Sequence, residues 1–197
     1  MMKLFVSDTS PYARKCRIVI REWALTDRVE EIDSHPFKDG PDLLGANPLG
    51  RVPALINETG QAFPESGTIC AYLYEKAGSP WPWDWVDARI DSLASGLLDL
   101  TVARRVEMVR DPALYSDTWI GRREAGIART LDQLEGEGAG AHPPLTLGGL
   151  GLAVALDYLS FRYAEAEWQK DRPGLTGLHA FWSGRESFTL TSPPTDA

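Results

Sequence analysis

Cysteine and histidine are scarce in this chain, and metal-binding motifs are missing. Its 197 residues include two cysteines, Cys16 and Cys70, and three histidines that lie far apart. Two cysteines in a chain of this length do not make a disulfide framework, and no CxxC, HExxH or zinc-type Cys/His spacing occurs. These absences argue against a disulfide-rich secreted domain and a dithiol redox motif, and the sequence predicts no metal site.

Nucleotide-binding and hydrolase motifs are also missing. The chain has no GxxxxGK[ST] loop, no complete GxGxxG and no GxSxG elbow. Its most apolar stretch, residues 145–156, is shorter than the roughly 18 residues that a membrane-spanning helix needs. The apolar run after Lys3 is too short for the core of a signal peptide. We therefore expect no membrane association.

Positive charge is in deficit. Lysine and arginine total 20 against 28 acidic residues, which gives a net charge of −8. A polyanionic partner would be repelled at long range, so we expect no nucleic-acid partner. Hydrophobic residues make up 43% and charged residues 24%, as is typical of a folded globular protein. Together with the sparse cysteines, these features predict a cytoplasmic protein.

The first 78 residues alternate between strand-like and helix-like patterns. Apolar residues spaced i, i+3, i+4 and i+7 predict a helix over residues 11–24, and Ser66 is expected to cap a second helix that ends near residue 78. Residues 34–48 are expected to be irregular. Short apolar segments predict strands at 3–6, 29–33, 52–57 and 61–63. The resulting order, β-α-β, irregular segment, β-β-α, predicts a thioredoxin-like α/β domain over residues 1–78.

Only helical patterns follow this domain. Residues 79–84 contain two prolines and predict a linker. Residues 85–197 then predict an all-α helical-bundle domain, in which the helix from residue 147 is apolar almost all round and is expected to lie in the centre. Its helices are expected at 85–110, 116–134, 147–168 and 174–183.

Three segments of the first domain carry a family resemblance. They are Ser-Pro-Tyr at 10–12, Asn-Pro-Leu-Gly-Arg-Val-Pro at 47–53, and Pro-Glu-Ser-Gly at 64–67. With these motifs in this order, the chain resembles a glutathione S-transferase over its whole length. It is most similar to small bacterial members of that family that carry a TSPY-x-RK segment near the start and an RESF segment near the end, here at 185–188.

The resemblance implies that Ser10 stabilises the glutathione thiolate. A serine where a strand passes into a helix offers its hydroxyl, exposed N–H groups and the positive end of the helix dipole. A free thiol ionises near ~8.5, and lowering its pKa by two units needs roughly 2.7 kcal/mol, which such a site can supply. Two alternatives stay open. From the residues alone, Ser10 could serve only as a helix cap; the resemblance also allows a neighbouring position, here Tyr12 or Arg14, to activate the thiol.

The other two motifs imply a glutathione-binding surface. With a cis bond before Pro53, Val52 would present its backbone to the peptide-like ligand as an added strand. Glu65 would accept the ligand ammonium and Ser66 would bind the ligand carboxylate near a helix start. Arg51 is placed to attract the glycyl carboxylate. Without the resemblance, Ser66 is a plain cap, Glu65 a solvated charge and Arg51 an ordinary surface arginine.

The resemblance further implies a pocket for the second substrate lined by Tyr12, Arg104, Arg105 and Met108, although the last three could equally form a solvated face. Cys16 is a competing candidate as a redox thiol. It belongs to the apolar stripe of the first helix, and unpaired cysteine is among the most buried residue types. We therefore predict that Cys16 packs in the core.

One segment departs from the family pattern. The helix that begins near Thr146 usually opens with a Ser/Thr-x-x-Asp capping box, but here residues 146–149 read Thr-Leu-Gly-Gly. Loss of the carboxylate removes a hydrogen bond, and each early glycine costs about 1 kcal/mol relative to alanine. The sequence thus predicts a second domain that is less stable than usual.

The resemblance implies a glutathione transferase that conjugates the thiolate to a small hydrophobic electrophile in detoxification. The same site could instead support a glutathione-dependent peroxidase or thiol-transfer activity. The alternative from another class is a non-catalytic module that binds other proteins, because the fold also occurs in such relatives. The family further implies a homodimer, with glutathione as co-substrate and neither metal nor nucleotide.

Overall fold

The computed structural model describes residues 1–79 and 84–194. The chain divides into two compact units, one made of Met1–Trp81 with Arg185–Ala197 and the other of Pro82–Gly184. Residues 80–83 of the predicted linker lie outside the described residues, so the boundary at 79–84 stays a prediction. No helix in the described parts is long and apolar enough to cross a membrane.

The first unit is built on a four-stranded mixed sheet. Its strands are β1 (Met2–Val6), β2 (Val29–Asp33), β3 (Ala54–Ile56) and β4 (Ala62–Phe63), in the spatial order β2-β1-β3-β4. Strand β1 runs parallel to β2 and antiparallel to β3, and β4 runs antiparallel to β3. This arrangement confirms the thioredoxin-like fold predicted for the N-terminal part.

Helix α1 (Pro11–Glu22) follows β1 directly and positions the first candidate motif. Proline suits its first position, because the N–H that proline lacks would have no partner there. The predicted apolar stripe is buried, with Cys16, Val19 and Ile20 at most 1% exposed. The helix ends at Glu22, two residues before the predicted end, and Ala24 then adopts the left-handed region with a φ of 52°.

A short helix that the sequence analysis missed lies inside the supposedly irregular segment. Helix α2 (Pro41–Ala46) buries Leu43 and Ala46 in a hydrophobic cluster with Phe5 and Ala54. Six residues are too few to show a helical period, so burial of one side against the sheet defines this helix. The remaining helix of this part, α3 (Ser66–Lys76), was predicted.

The second unit consists of helices, as predicted. These are α4 (Trp85–Met108), α5 (Asp117–Gly136), α6 (Leu147–Arg162) and α7 (Pro173–Ser183). Helix α6 packs against α4, and every residue from 147 to 156 is buried, so the expected central helix is present. It ends at Arg162 rather than at 168, because Tyr163 leaves the helical backbone region with φ −151° and ψ 60°.

The start of α6 has a carboxylate partner that the sequence analysis did not anticipate. The Thr146 hydroxyl accepts a hydrogen bond from the Gly149 N–H at 3.1 Å. Asp87 of α4 supplies the missing carboxylate: its Oδ1 accepts from the Gly148 N–H at 2.9 Å and lies 3.0 Å from His142 Nε2. A residue distant in sequence therefore provides a carboxylate at this helix start, and the lower stability of the second domain stays a prediction.

The end of the chain packs on the first unit. Helix α8 (Glu186–Thr189) follows Arg185, whose Nε donates to Glu22 Oε1 at 2.9 Å. Arg14 Nη2 donates to the Phe188 carbonyl at 3.1 Å, and its guanidinium lies 4.1 Å from the centre of the Phe188 ring. The sequence analysis placed these residues in a helical domain spanning 85–197 and did not anticipate that they pack on α1.

Candidate functional site

Ser10 is the N-cap of α1, at the point where β1 passes into the helix. Its Oγ accepts a hydrogen bond from the Ala13 N–H at 3.2 Å, and its own N–H donates to the Ser7 carbonyl at 3.0 Å. Among the described residues no hydrogen bond uses the Ser10 hydroxyl proton. Capping thus leaves one donor on a half-buried hydroxyl at the positive end of a helix, where it can act on an anion.

The two neighbours that could replace Ser10 differ in their surroundings. Tyr12 is half-buried in the first turn of α1. Arg14 is 4% exposed and donates to the chain end, at 3.1 Å from the Phe188 carbonyl and 3.4 Å from Thr191 Oγ1. Arg14 therefore anchors the chain end, whereas Ser10 and Tyr12 remain the candidates for thiol activation.

Asn47 organises the second motif, and the sequence analysis gave it no role. This residue is completely buried, and its side-chain amide donates to the Arg51 carbonyl at 2.8 Å and to the Pro64 carbonyl at 3.5 Å. Its Oδ1 accepts from the Leu49 N–H at 3.0 Å. Asn47 thus ties the loop before Val52 to the segment before α3. An asparagine before proline indicates a turn, which was the available signal.

The peptide bond between Val52 and Pro53 is cis, as the resemblance implied. Strand β3 begins at Ala54 rather than at residue 52, because Pro53 has no N–H to contribute to the ladder. Val52 therefore precedes the strand, and no backbone hydrogen bond in the described part of the chain uses its N–H or C=O. Arg51 is exposed, and its carbonyl accepts from Asn47.

The start of α3 corrects one prediction: Glu65, and not Ser66, is the N-cap. The Glu65 carboxylate accepts from the Gly67 N–H at 2.8 Å and the Thr68 N–H at 3.0 Å, and the Ser66 hydroxyl donates to it at 3.1 Å. Burial acts to raise the pKa of Glu65, but these donors and the charge of Lys15 lower it below its ordinary value. Glu65 is therefore a carboxylate at neutral pH and remains exposed at the surface.

Contacts within the first unit place α1 beside the start of α3. Cys16 Sγ lies 3.8 Å from the Ser66 carbonyl, so the second turn of α1 is next to the first residue of α3. Lys15 is 3% exposed, and its charge acts on both Glu65 and Cys16. The sequence analysis gave Lys15 no role, although a lysine within the buried side of an amphipathic helix was a signal.

Cys16 packs in the core, as predicted. Its Sγ lies 3.8 Å from Cys70 Sγ, and both cysteines are completely buried and free. Burial, a hydrogen bond with Cys70 and the charge of Cys70 raise the pKa of Cys16 well above its ordinary value. A buried thiol with a raised pKa is a poor nucleophile, which argues against a catalytic role for Cys16.

The candidate residues of the second unit lie together at the C-terminal end of α4. Arg104 Nε donates to Glu124 Oε1 at 2.8 Å, and its guanidinium lies 3.5 Å from the centre of the Tyr163 ring. Arg105 is half-buried, and the Met108 carbonyl accepts from a tyrosine hydroxyl at 2.6 Å. These contacts show that Arg104 is engaged within its own unit; the second-substrate role of the three residues stays a prediction.

A separate groove of about 530 Å³ lies within the second unit between α4 and α5. Leu93, Leu100 and the half-exposed Trp119 line it, together with Arg122 and Arg123. None of the residues predicted for the active site lines this groove. Among residues 1–79 and 84–194, no group of three or more His, Cys, Asp or Glu side chains could hold a metal ion.

Known proteins are similar to this chain in both of its parts. Residues 4–81 match the family profile of the glutathione S-transferase N-terminal domain. The chain is 34% identical over 202 residues to the uncharacterized GST-like protein YibF of Escherichia coli (strain K12), covering 98% of this chain and 99% of that protein. The similarity therefore spans both units rather than the thioredoxin-like part alone.

Solved structures of bacterial relatives are similar over the same length. A glutathione transferase family member from Pseudomonas fluorescens Pf-5, with bound glutathione, is 32% identical with a TM-score of 0.92, covering 98% of this chain and 100% of that one. A second structure from this organism, with bound S-(propanoic acid)-glutathione, is 31% identical with a TM-score of 0.85, covering 98% of each chain.

Proposed function

We propose that this chain, which belongs to the glutathione S-transferase family, binds glutathione and transfers its thiolate to a small electrophile. The observation that carries the proposal is the state of Ser10, which caps α1 through its oxygen and keeps its hydroxyl proton available. A hydroxyl donor and the positive end of a helix both stabilise a thiolate relative to a thiol. Glutathione in one structure of a relative, and a glutathione conjugate in another, support the choice of co-substrate.

Three segments of the first unit would hold the tripeptide. Glu65 carries a negative charge for the γ-glutamyl ammonium, because a carboxylate that accepts two backbone N–H bonds still has unused lone pairs. Ser66 at the start of α3 would bind the neighbouring carboxylate. The backbone of Val52 would pair with the peptide as an added strand, and the exposed Arg51 would attract the glycyl carboxylate.

In the transfer step, the thiolate sulfur forms a bond to the electrophilic carbon, and the leaving group departs with its electron pair. The thiol proton is released to solvent before this step, when glutathione binds. Ser10 donates to the sulfur and lowers the thiol pKa, and Tyr12 is the second candidate donor in the same turn. The same thiolate could instead reduce a peroxide or split a mixed disulfide. Both activities should therefore be assayed together with conjugation.

The bound S-(propanoic acid)-glutathione of one relative guides the choice of second substrate. We propose that the group on sulfur is small and ends in a carboxylate. Of the predicted pocket residues Arg104, Arg105 and Met108, Arg104 pairs with Glu124 and Arg105 supplies a positive charge, which suits such a group better than a purely apolar pocket would. Tyr12 completes the predicted set. A role in detoxification is consistent with conjugation of small electrophiles.

We further propose a homodimer in the cytoplasm. The exposed aromatic Trp119 and the groove between α4 and α5 offer an apolar surface for a second copy. Two free, buried cysteines fit a reducing compartment. Light scattering coupled to gel filtration at micromolar concentration should report twice the mass of 21.7 kDa, and the mass of one chain would contradict the dimer.

The thiol pKa tests the proposed function directly. Ultraviolet absorbance of the bound thiolate, followed against pH, should give a pKa about one to two units below that of free glutathione. Ser10→Ala should return the pKa to the free value while glutathione still binds. Ser116→Ala is the matched control, because Ser116 caps α5 in the same way and lies in the other unit. Binding of glutathione without a lowered pKa in wild type would favour the non-catalytic module.

A further inference from the structure

Asn47 is a completely buried residue at the start of a loop that is largely exposed. It follows α2 as its C-cap, and its N–H donates to the Leu43 carbonyl at 2.7 Å. The loop then exposes Pro48, Leu49 and Arg51 to solvent. Packing therefore contributes little to the conformation of this loop, and hydrogen bonds must define it.

Asn47 supplies hydrogen bonds along the whole loop. Its backbone carbonyl accepts from the Gly50 N–H at 2.9 Å, and its Oδ1 accepts from the Leu49 N–H at 3.0 Å. Its side-chain amide has two protons, and it donates to the Arg51 carbonyl at 2.8 Å and to the Pro64 carbonyl at 3.5 Å. A single buried side chain thus joins this loop to the segment that precedes α3.

The bond from Asn47 to the Arg51 carbonyl also determines where the Val52 N–H points. These two groups belong to one peptide unit, which is planar, and in a trans unit the N–H points opposite to the C=O. Because Asn47 holds the carbonyl on one side, the Val52 N–H is directed to the other side. In the described part of the chain no backbone hydrogen bond uses this N–H. It is therefore an oriented donor that a peptide-like ligand can meet.

We propose that Asn47 is a positioning residue for the cysteinyl and glycyl part of glutathione, an assignment that rests on the proposed function. Asn47 is completely buried and acts through its neighbours: it orients the Val52 N–H and fixes the backbone that carries the Arg51 side chain. The binding surface for this end of the tripeptide is then formed before the ligand arrives. Glutathione consequently binds without the cost of ordering the loop.

Two ligands that differ only at the glycyl carboxylate test this role by calorimetry. The probes are glutathione and its glycine amide, which has the same shape without that charge. Wild type should bind the acid about tenfold more tightly than the amide, as expected for a charge-assisted pair. Asn47→Ala should lower this preference to about twofold or less, as Arg51→Ala should by removing the cation, and the double variant should lose no more than either single variant. Partial unfolding weakens the binding of both ligands equally, so the ratio of affinities responds to positioning and not to stability.

Asn57→Ala is the matched control, because Asn57 is a second buried asparagine of the same unit. It is 8% exposed, and its Oδ1 accepts from the Thr59 N–H at 3.1 Å and the Gln61 N–H at 2.8 Å in the turn between β3 and β4. This variant also breaks buried hydrogen bonds, but it should keep the preference near about tenfold.

Amide hydrogen exchange in wild type tests the same role even if Asn47→Ala folds poorly. Without ligand, the Leu49 N–H should already exchange more slowly than in an unstructured peptide, and glutathione should add protection mainly at Val52. The positioning role alone would be overturned by protection of Leu49 that appears only with glutathione, by an acid preference that survives Asn47→Ala, or by equal affinity of wild type for acid and amide. Failure of wild type to bind either ligand would overturn the proposed function and this role with it.

Discussion

The first turns of α3 and α6 each donate to a carboxylate, and these two carboxylates have opposite surroundings. Helix α3 is capped by the residue that precedes it, Glu65, which is exposed. The N-terminal turn of α6 receives the carboxylate of Asp87 from another helix, and Asp87 is 4% exposed. An exposed cap keeps lone pairs that a ligand can use, whereas the buried Asp87 is out of a ligand's reach. We therefore expect Glu65 to matter mainly for binding and Asp87 mainly for stability.

The largest effect is expected for Asp87→Ala. The variant leaves the buried Gly148 N–H without an acceptor and His142 without its partner, which should lower the free energy of unfolding by about 2–4 kcal/mol. Chemical denaturation followed by circular dichroism measures the change. The control is Asp132→Ala, which removes a 69% exposed ion-pair partner of Arg172 and should cost less than about 1 kcal/mol. An equal loss of unfolding free energy in the two variants would show that the Asp87 cap contributes no more to stability than an exposed ion pair.

Gly148→Ala should weaken the same cap by a smaller amount. A Cβ at residue 148 would overlap the Asp87 carboxylate, so either the cap or the helix must shift, at a cost of about 1–3 kcal/mol. A Cβ added at Gly177 of α7 would meet nothing within 4 Å, and Gly177→Ala should therefore stabilise the protein by about 0.5–1 kcal/mol. Thermal midpoints that move in opposite directions would support the close approach of Asp87; a stabilising Gly148→Ala would contradict it.

Sequence patterns predicted the features that depend on residues close together in the chain. The apolar spacing around Cys16 and Val19 located α1, and the three motifs of the first unit led to the family. The N-cap of α3 was harder to predict from the sequence. Glu65 and Ser66 can both cap a helix, and the choice of serine by its general preference was wrong. Contacts between residues far apart in sequence could not be predicted at all, as with Asp87 and Gly148, which are 61 positions apart.

The chain end illustrates the same limit. Its RESF segment was visible in the sequence, but nothing local indicated that Arg185 pairs with Glu22, 163 positions away. Likewise, Lys15 and Arg14 look like ordinary charges on a helix, although both are buried. Charged residues are rarely buried without a partner, so general expectation favoured the surface. Only the packing of α1 against its neighbours reveals that these charges have specific surroundings.

Glu65→Gln should affect binding more than stability, which is the reverse of the effect expected for Asp87→Ala. The amide oxygen can still accept a backbone N–H, so the loss of stability should be only about 0.5–1 kcal/mol. Glutathione affinity should fall about tenfold or more, because the proposed partner of the ligand ammonium loses its charge. Calorimetry measures the affinity and denaturation the stability. A variant that binds glutathione normally would remove Glu65 from the proposed binding surface and leave it a cap like Asp87.

The smallest effect is expected in the pH dependence of stability at the exposed cap. Because the pKa of folded Glu65 is lowered, its carboxylate contributes stability that is present above the unfolded value, near ~4.3, and is lost as the pH falls through the folded pKa. Glu65→Gln cannot titrate at this position. The difference in unfolding free energy between wild type and variant should therefore be constant near neutral pH and shrink as the pH falls below about 4.3.

This difference isolates Glu65 from other acidic groups. Burial acts to raise the pKa of Glu22, but its hydrogen bonds to Arg185 and Ser187 lower it, so Glu22 also loses a stabilising charge in acid. That loss occurs equally in wild type and in Glu65→Gln, and it cancels when one curve is subtracted from the other. If the unfolding free energies of wild type and Glu65→Gln stay parallel down to the lowest pH measured, the charge of Glu65 adds nothing to stability. The contrast with Asp87 would then rest on burial alone.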